Sequence, residues 1–457
     1  MKPEMHRRLS DPNVKRLLFK LSLPAMTGMF VIALYNLVDT IFVGRGVGTM
    51  AIAGLSIVFP LQMIVLSIGM LFGIGGASVI SRALGAGKHE TAEIAYGNVI
   101  LAAVLSGALL ATGGLLFQDH ILSIFGASPE IMPFASDYFG IIIFASPLFI
   151  ISMTGNNVLR SVGMARSAMT TMITGAAANI VLDPIFIFVL DMGVKGAALA
   201  TVLAQFLSVA YQASELRAAK SGLSLGRSNL RFHGPVLREI TAVGFSSFIR
   251  SVASSFVFIL FNNRLLQYGS EVSVAAYGIT IRLARFLTMP LIGIAQGLQP
   301  IIGYNWGAGN VQRAEKAAAT GLLWAGMIST GGFAAVQLFP SQFIGIFTHD
   351  PELLSAGRDS LRILMMGLWA LGFLFVGTSI FQAMGKAAKS MLLSSAREVL
   401  FLIPLVLVLP RFLGLQGIWI SVPVADMCSV SITVFMVLRE RRIIRSGRAR
   451  LPLRDGQ

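Results

Sequence analysis

Twelve apolar stretches run through the chain from end to end, each long enough as a helix to cross about 30 Å of hydrocarbon at 1.5 Å per residue. They begin near Leu17, Ala51, Thr91, Phe134, Ser167 and Gly196 in the first half, and near Leu237, Ser273, Lys316, Leu361, Lys389 and Leu415 in the second. Polar residues collect in the connections, so the pattern predicts an all-α integral membrane protein with twelve transmembrane helices. These divide into an N-terminal six-helix lobe at 1–216 and a C-terminal six-helix lobe at 237–438, with a linker at 217–236 and a basic tail at 439–457.

The two halves repeat. Leu84-Gly85-Ala86-Gly87 answers Trp306-Gly307-Ala308-Gly309, Ile124 to Glu130 answers Ile346 to Glu352, and Arg160-Ser161-Val162-Gly163 answers Gln382-Ala383-Met384-Gly385, all at an offset of 222 residues. Gly193-Val194-Lys195-Gly196 answers Gly414-Leu415-Gln416-Gly417 at 221. Each half has an even number of helices, so both enter from the same side and the repeat axis runs along the membrane normal. Two bundles facing each other across a central cleft are the arrangement of a transporter.

Composition agrees: 55% of the 457 residues are hydrophobic and 12% charged, with a mean hydropathy of +0.76. The net charge of +15 is dispersed among connections and chain ends rather than gathered into a nucleic-acid-binding stripe. With both ends cytoplasmic, the connections on that side and the ends hold about 25 Lys and Arg against about 5 on the other side, which sets the orientation in a plasma (inner) membrane. Cys428 is the only cysteine, which excludes an intramolecular disulfide, and the basic 1–20 segment lacks an evident cleavage site.

Asp39, near the end of the first apolar run, and Asp183, in Asn179-Ile180-Val181-Leu182-Asp183-Pro184, change this picture. A carboxylate in hydrocarbon costs roughly 2.5 to 3.5 kcal/mol on insertion scales, so it persists there only with partners or a purpose. Asn179 and Asp183, four apart, share a helix face, and Pro184 is expected to disturb the turn around Ile180. Measured from the cytoplasmic starts of their helices, Asp39 lies about 33 Å and Asp183 about 24 Å in, while Thr201 lies about 10 Å below the outer surface. Together these oxygens suit a hard monovalent cation or a proton relay; the bland alternative is a hydrogen bond fastening two helices. The pair belongs to the first half alone, since Asp39 falls opposite Phe261 and Asp183 has no acidic counterpart near Ile403 and Pro404.

At these residues the sequence resembles the multidrug and toxic compound extrusion (MATE) family of cation-coupled antiporters, in particular the branch with DinF-like and archaeal members. The resemblance covers essentially the whole chain, through Tyr35-Asn36-Leu37-Val38-Asp39-Thr40, Leu84-Gly85-Ala86-Gly87 and the 179–184 motif. It implies a Na+ or H+ site in the N-terminal lobe built from Asp39, Asn179, Asp183 and Thr201, with the Ala197 carbonyl as a further ligand. Tyr35, Asn36, Tyr138 and Asn156 would belong to the substrate site or its polar network. The sequence departs from the branch with a carboxylate in the seventh helix, where Arg250 stands and no acid lies within the membrane. For Arg250, with Glu398 and Asp426 as further charged candidates of the C-terminal lobe, the reading is structural: one of the two acids neutralises the arginine. Contact with an anionic substrate is the alternative.

The expected function is thus a secondary active exporter of amphipathic, often cationic, drug-like compounds, exchanged for Na+ or H+ by alternating access. It would work as a monomer in membrane lipid, without a cofactor and without nucleic acid. A lipid-linked saccharide flippase of related fold is the rival, favoured by a basic cavity and extra helices. An intramembrane enzyme is disfavoured, because there is no aspartate-rich DxxxD loop, no His-Glu-x-x-His and no Walker lysine; Gly85-Ala86-Gly87 and Gly307-Ala308-Gly309 read as helix-ending turns.

Overall fold

The computed structural model describes residues 9–217, 221–226 and 229–446, apart from the side chains of residues 36, 37, 40, 41, 44, 45 and 49. Helices dominate, and the described residues include no strand. The spans are α1 (Val14–Gly46), α2 (Thr49–Gly85), α3 (His89–Leu116), α4 (Met132–Phe144 and Ser146–Ser161, bent by 54°), α5 (Ala165–Pro184, continued by Ile185–Val189) and α6 (Gly193–Glu215). The second set is α7 (Gly234–Tyr268), α8 (Glu271–Gly307), α9 (Val311–Leu338), α10 (Pro351–Ala383), α11 (Ala387–Val408) and α12 (Pro410–Arg445). Eleven are long and apolar enough to cross a membrane unaided, and the bent α4 makes the twelfth.

Helix starts lie within a few residues of those read from the sequence, usually on the N-terminal side, because polar first turns belong to the helix without resembling hydrocarbon. Two starts differ more. α10 begins ten residues before Leu361, at Pro351, where Asp350 caps the helix by accepting from the Leu353 N–H at 2.8 Å. α12 begins at Pro410 but is broken at Gly414 (φ 55°, ψ −137°), so Leu415 does open its long continuous part. α12 also runs on to Arg445, which makes the first residues of the basic tail helical; 447–457 lie outside the described residues.

The internal repeat is written in the turns. Gly87 and Gly309 end α2 and α8 at φ 77° and 72°; Gly163 and Gly385 end α4 and α10 at 79° and 73°. In each turn an N–H one residue beyond the glycine reaches back five residues: Lys88 to Ala83, Asn310 to Asn305, Met164 to Leu159 and Lys386 to Phe381, at 2.8–2.9 Å. This is a helix-ending motif that needs a left-handed residue, so glycine recurs in register. Gly193 and Gly414, at φ 56° and 55°, repeat the pattern at the shorter offset.

The lobes meet mainly where α7 lies along α2 and α8 along α1. With twelve crossings both ends fall on one face, here called the terminal face. Hydrogen bonds crossing the seam sit in the half of the molecule next to that face: Ser78 Oγ to Gln382 O (2.5 Å), Gln299 Nε2 to Ile74 O (3.2 Å) and Arg82 Nη1 to Glu239 Oε1 (2.7 Å). Backbones touch there too, since a Cβ on Gly75 would stand 2.0 Å from Ile240 O and one on Gly85 1.9 Å from Tyr304 O.

Candidate functional site

α1 packs along α5, and α5 along α6, so the three helices converge beyond the seam, toward the face opposite the chain ends. A proline cannot donate its missing N–H, and α5 responds one turn after Pro184 rather than before it. The chain widens into a π turn at Ile185–Val189, where Leu190 N donates to Ile185 O at 2.9 Å. The irregularity predicted around Ile180 is therefore displaced: residues 165–184 remain α-helical and the disturbed turn follows. The end of α1 lies against that turn, for a Cβ on Gly46 would stand 2.4 Å from Ile187 Cγ2.

This packing gathers the acids. The carboxyls of Asp39 on α1 and Asp183 on α5 lie within hydrogen-bonding reach of each other. Asn179 Nδ2 donates to Asp183 Oδ1 (3.1 Å) and to Thr201 Oγ1 (3.4 Å) on α6, while Thr201 Oγ1 donates to Ala197 O (2.9 Å). Asp183 is fully buried and Asn179 nearly so; Asp39 is half-buried. Tyr35 and Tyr138 stand within electrostatic range of both acids, and Tyr138 Oη accepts from Gln62 Nε2 at 3.3 Å.

The donor and acceptor count is unbalanced. Asn179 Oδ1 and Asp183 Oδ2 are buried acceptors that meet no donor among the described residues, and an unmet buried acceptor costs about 1–3 kcal/mol. The group facing Asp183 is another carboxyl, an acceptor unless it carries a proton. Two carboxyls, an amide oxygen, a hydroxyl and a helix carbonyl make a hard oxygen set that a proton or one monovalent cation would complete. Among the described residues no three His, Cys, Asp or Glu side chains converge as ligands, so the set differs from a multidentate divalent-metal site.

Other sequence candidates lie elsewhere. Asn156 stands apart from the acids: its Nδ2 donates to Ala168 O (3.0 Å) and its Oδ1 accepts from Arg160, a buried guanidinium also bound to Asn157 Oδ1 (3.2 Å). It serves a buried arginine near the terminal face. The Asn36 side chain lies outside the described positions. In the C-terminal lobe, Asp426 and Glu398 are held not by Arg250 but by Arg397, whose Nε donates to Asp426 Oδ1 (2.6 Å) and Nη1 to Glu398 Oε1 (2.7 Å). Arg397 sits at the first turn of a π segment, Ala396–Leu402, which widens α11 and turns its fork toward α12. Arg250 stands only within electrostatic range of Glu398. Gln62 was not singled out by the sequence; an amide in the apolar run of α2 was the available signal.

Comparisons with known proteins agree with this architecture. The MatE family model matches residues 24–185 and again 245–408, one match per half. The chain is 27% identical over 447 residues to the multidrug export protein MepA of Staphylococcus aureus (strain MSSA476), covering 96% of this chain and 98% of that protein. Among solved structures it is similar to that of the MATE multidrug transporter DinF-BH, with 39% identity, a TM-score of 0.88 and coverage of 95% and 96%. It is also similar to the outward-facing conformation of a multidrug resistance MATE family transporter, with 26% identity, a TM-score of 0.91 and coverage of 97% and 100%.

Proposed function

The chain belongs to the MatE family of multidrug efflux transporters, and from that premise we propose that it exports amphipathic, often cationic, compounds in exchange for Na+ or H+. The observation that carries this reading is the pair Asp39 and Asp183, fastened by Asn179, where Asp183 Oδ2 and Asn179 Oδ1 meet no donor among the described residues. A proton or Na+ satisfies those oxygens and removes the repulsion between two anions in one dry pocket. The emptied pair is then unstable, and that instability is the coupling.

The seam supplies the second half of the mechanism. With both ends cytoplasmic, as the distribution of basic residues supports, the closed half faces the cytoplasm and the acid pair looks toward the outside. Entry of the cation changes the packing of the π turn against the end of α1, and with it the cavity beside Tyr35 and Tyr138. The two states then bind drug with different affinity, which is what exchange requires. The lobes rock about the seam with little change inside each. The protein acts as a monomer in the lipid of the plasma membrane.

Proteoliposomes with separately imposed Na+ and pH gradients test this. Gradient-driven movement of a cationic dye is expected, with Na+ and protons competing; dye movement indifferent to both gradients sinks the reading. For orientation, a cysteine at Ser128 or His349 should react with an impermeant reagent from outside and one at Ser224 only after permeabilisation. The reverse pattern would invert the assignment of faces.

A further inference from the structure

The C-terminal lobe carries charge of the opposite sign at mid-depth. Arg397 lies about 15 Å along α11 and Arg250 about 24 Å along α7 from the terminal face, one residue before Ser251, whose Oγ reaches across the seam to Met70 Sδ at 3.7 Å. Arg397 is committed to both available acids. The side chains of Glu398 and Asp426 are 8% and 2% exposed, so each bond to the Arg397 fork is made in a low dielectric and is hard to trade.

That commitment leaves an imbalance. Arg250 and Arg285 stand in the same electrostatic neighbourhood, the first beside Glu398 and the second beside Tyr277, which itself senses Glu398 and Arg397. Among the described residues, no carboxylate comes within ion-pair distance of either arginine. Three guanidiniums therefore answer two carboxylates, both already taken. Behind them Tyr277 stacks on Phe261 (5.0 Å, 15°) and approaches Trp419 (6.4 Å), all three buried, so the cluster is backed by apolar rings rather than by water. An unmatched guanidinium at mid-membrane costs free energy unless an anion joins it. Arg250 is only partly exposed, which keeps that anion's interaction strong.

We propose that Arg250 forms an anion-accepting subsite of the cleft that holds the carboxylate or sulfonate of an amphipathic substrate. The inference rests on the export reading above and extends it, adding zwitterionic and anionic amphiphiles to the cationic class. The lobes then divide the work: the N-terminal acids exchange the coupling cation, and the C-terminal arginine selects substrates by their acidic group. Arg397 is a positioning residue, because by holding Glu398 and Asp426 it keeps them off Arg250.

The test uses the whole protein in lipid nanodiscs and two dyes with one xanthene chromophore, one with a free carboxylate and one as its ethyl ester, with binding read by fluorescence anisotropy. Arg250→Gln should weaken the carboxylate dye about tenfold and leave the ester within about twofold, which also reports folding. Glu398→Gln removes a competing negative charge and should tighten the carboxylate dye several-fold, an effect of opposite sign that no folding defect mimics. Equal weakening of both dyes by Arg250→Gln, or no gain from Glu398→Gln, overturns the subsite. Carboxylate-dye binding without any dependence on Arg250 or Glu398 defeats the subsite alone, whereas a wild-type protein that binds neither dye defeats the export reading as well. Phosphatidylcholine discs with and without anionic phosphatidylglycerol separate substrate from lipid. If the anionic lipid weakens carboxylate-dye binding in the wild type but not in Arg250→Gln, headgroups occupy Arg250 and the substrate assignment falls.

Discussion

The two lobes share a backbone and differ in chemistry. α5 and α11 are equivalent helices of the repeat, and each carries a π segment, Ile185–Val189 and Ala396–Leu402. Beside the first, Asp39 and Asp183 face each other with no basic partner among the described residues; beside the second, Glu398 and Asp426 are both clamped by Arg397. A clamped acid has its oxygens committed to the guanidinium fork in a low dielectric, so it cannot change its partner cheaply. An acid pair without a basic partner is, on the proposed reading, left to take a cation from solution. On the proposed export reading, the same structural device thus yields an exchange site in one lobe and a permanent fixture in the other.

The sharpest way to break this comparison is to neutralise one acid in each lobe. Asp183→Asn keeps the hydrogen-bonding shape beside Asn179 but removes the charge that recruits the cation. Gradient-driven efflux should fall about a hundredfold or more, a loss of about 2.7 kcal/mol of coupling or greater, while the protein still inserts. Asp426→Asn should leave the gradient dependence of a cationic dye intact. If the two swap outcomes in parallel proteoliposome assays, the exchange site lies in the C-terminal lobe and the division of labour is reversed.

Stability should show the opposite ranking. Arg397→Met leaves two buried acids, 8% and 2% exposed, without their cation. Breaking such a pair from one side costs about 3–5 kcal/mol, so a clear fall in the melting temperature is expected. Combining it with Glu398→Gln and Asp426→Asn should restore most of the loss. Asp39→Asn with Asp183→Asn should raise the melting temperature in Na+-free alkaline buffer, because it relieves repulsion that neither Na+ nor a proton then relieves. Melting curves that respond alike to both interventions would mean the N-terminal acids are a structural fastening.

Much of this contrast was legible in the sequence, for reasons that particular residues make plain. Asp39 and Asp183 stood out because a carboxylate within an apolar run is expensive, and Asn179 was tied to Asp183 by helical spacing alone. Gly87 and Gly309 betrayed the repeat because a left-handed helix end tolerates little else, and the MatE model matches each half separately. The partner of Glu398 and Asp426 was misassigned because two arginines lay within plausible reach. Only the π segment of α11, which does not follow from the 3.6-residue period, directs Arg397 rather than Arg250 at both acids. The bond of Asn156 to Arg160, one helical turn away, is not legible in the family motif that places it in the polar network. Gln62 escaped notice because one amide in a span carries little signal before its partner Tyr138 is placed.

Smaller than the effect of either acid is that of Thr201. Its hydroxyl donates to Ala197 O and accepts from Asn179, so Thr201→Val removes one oxygen of the set without altering its charge. Na+ should then bind about tenfold more weakly, while proton-driven exchange, which needs only the carboxyls, is nearly kept. Equal loss of both would show that Thr201 holds α6 in place rather than serving the cation, and isothermal titration with Na+ at two pH values separates the cases.

The smallest expected effect lies at the seam, where both lobes contribute. Arg82 and Glu239 form an ion pair at 2.7 Å with side chains 17% and 44% exposed, close to solvent at the terminal face. Such a pair is worth about 0.2–1 kcal/mol, and salt screens it. The backbone contacts of Gly75 and Gly85, which a charge change leaves untouched, hold the same seam by close packing. Glu239→Gln should therefore shift the balance between the two openings by no more than about fivefold, read as the distance distribution between spin labels placed one on each lobe at the terminal face. The difference from wild type should shrink in high salt. A much larger shift, or one that survives high salt, would mean that the seam is latched by charge rather than by packing, and that the lobes differ in what closes them as well as in what they bind.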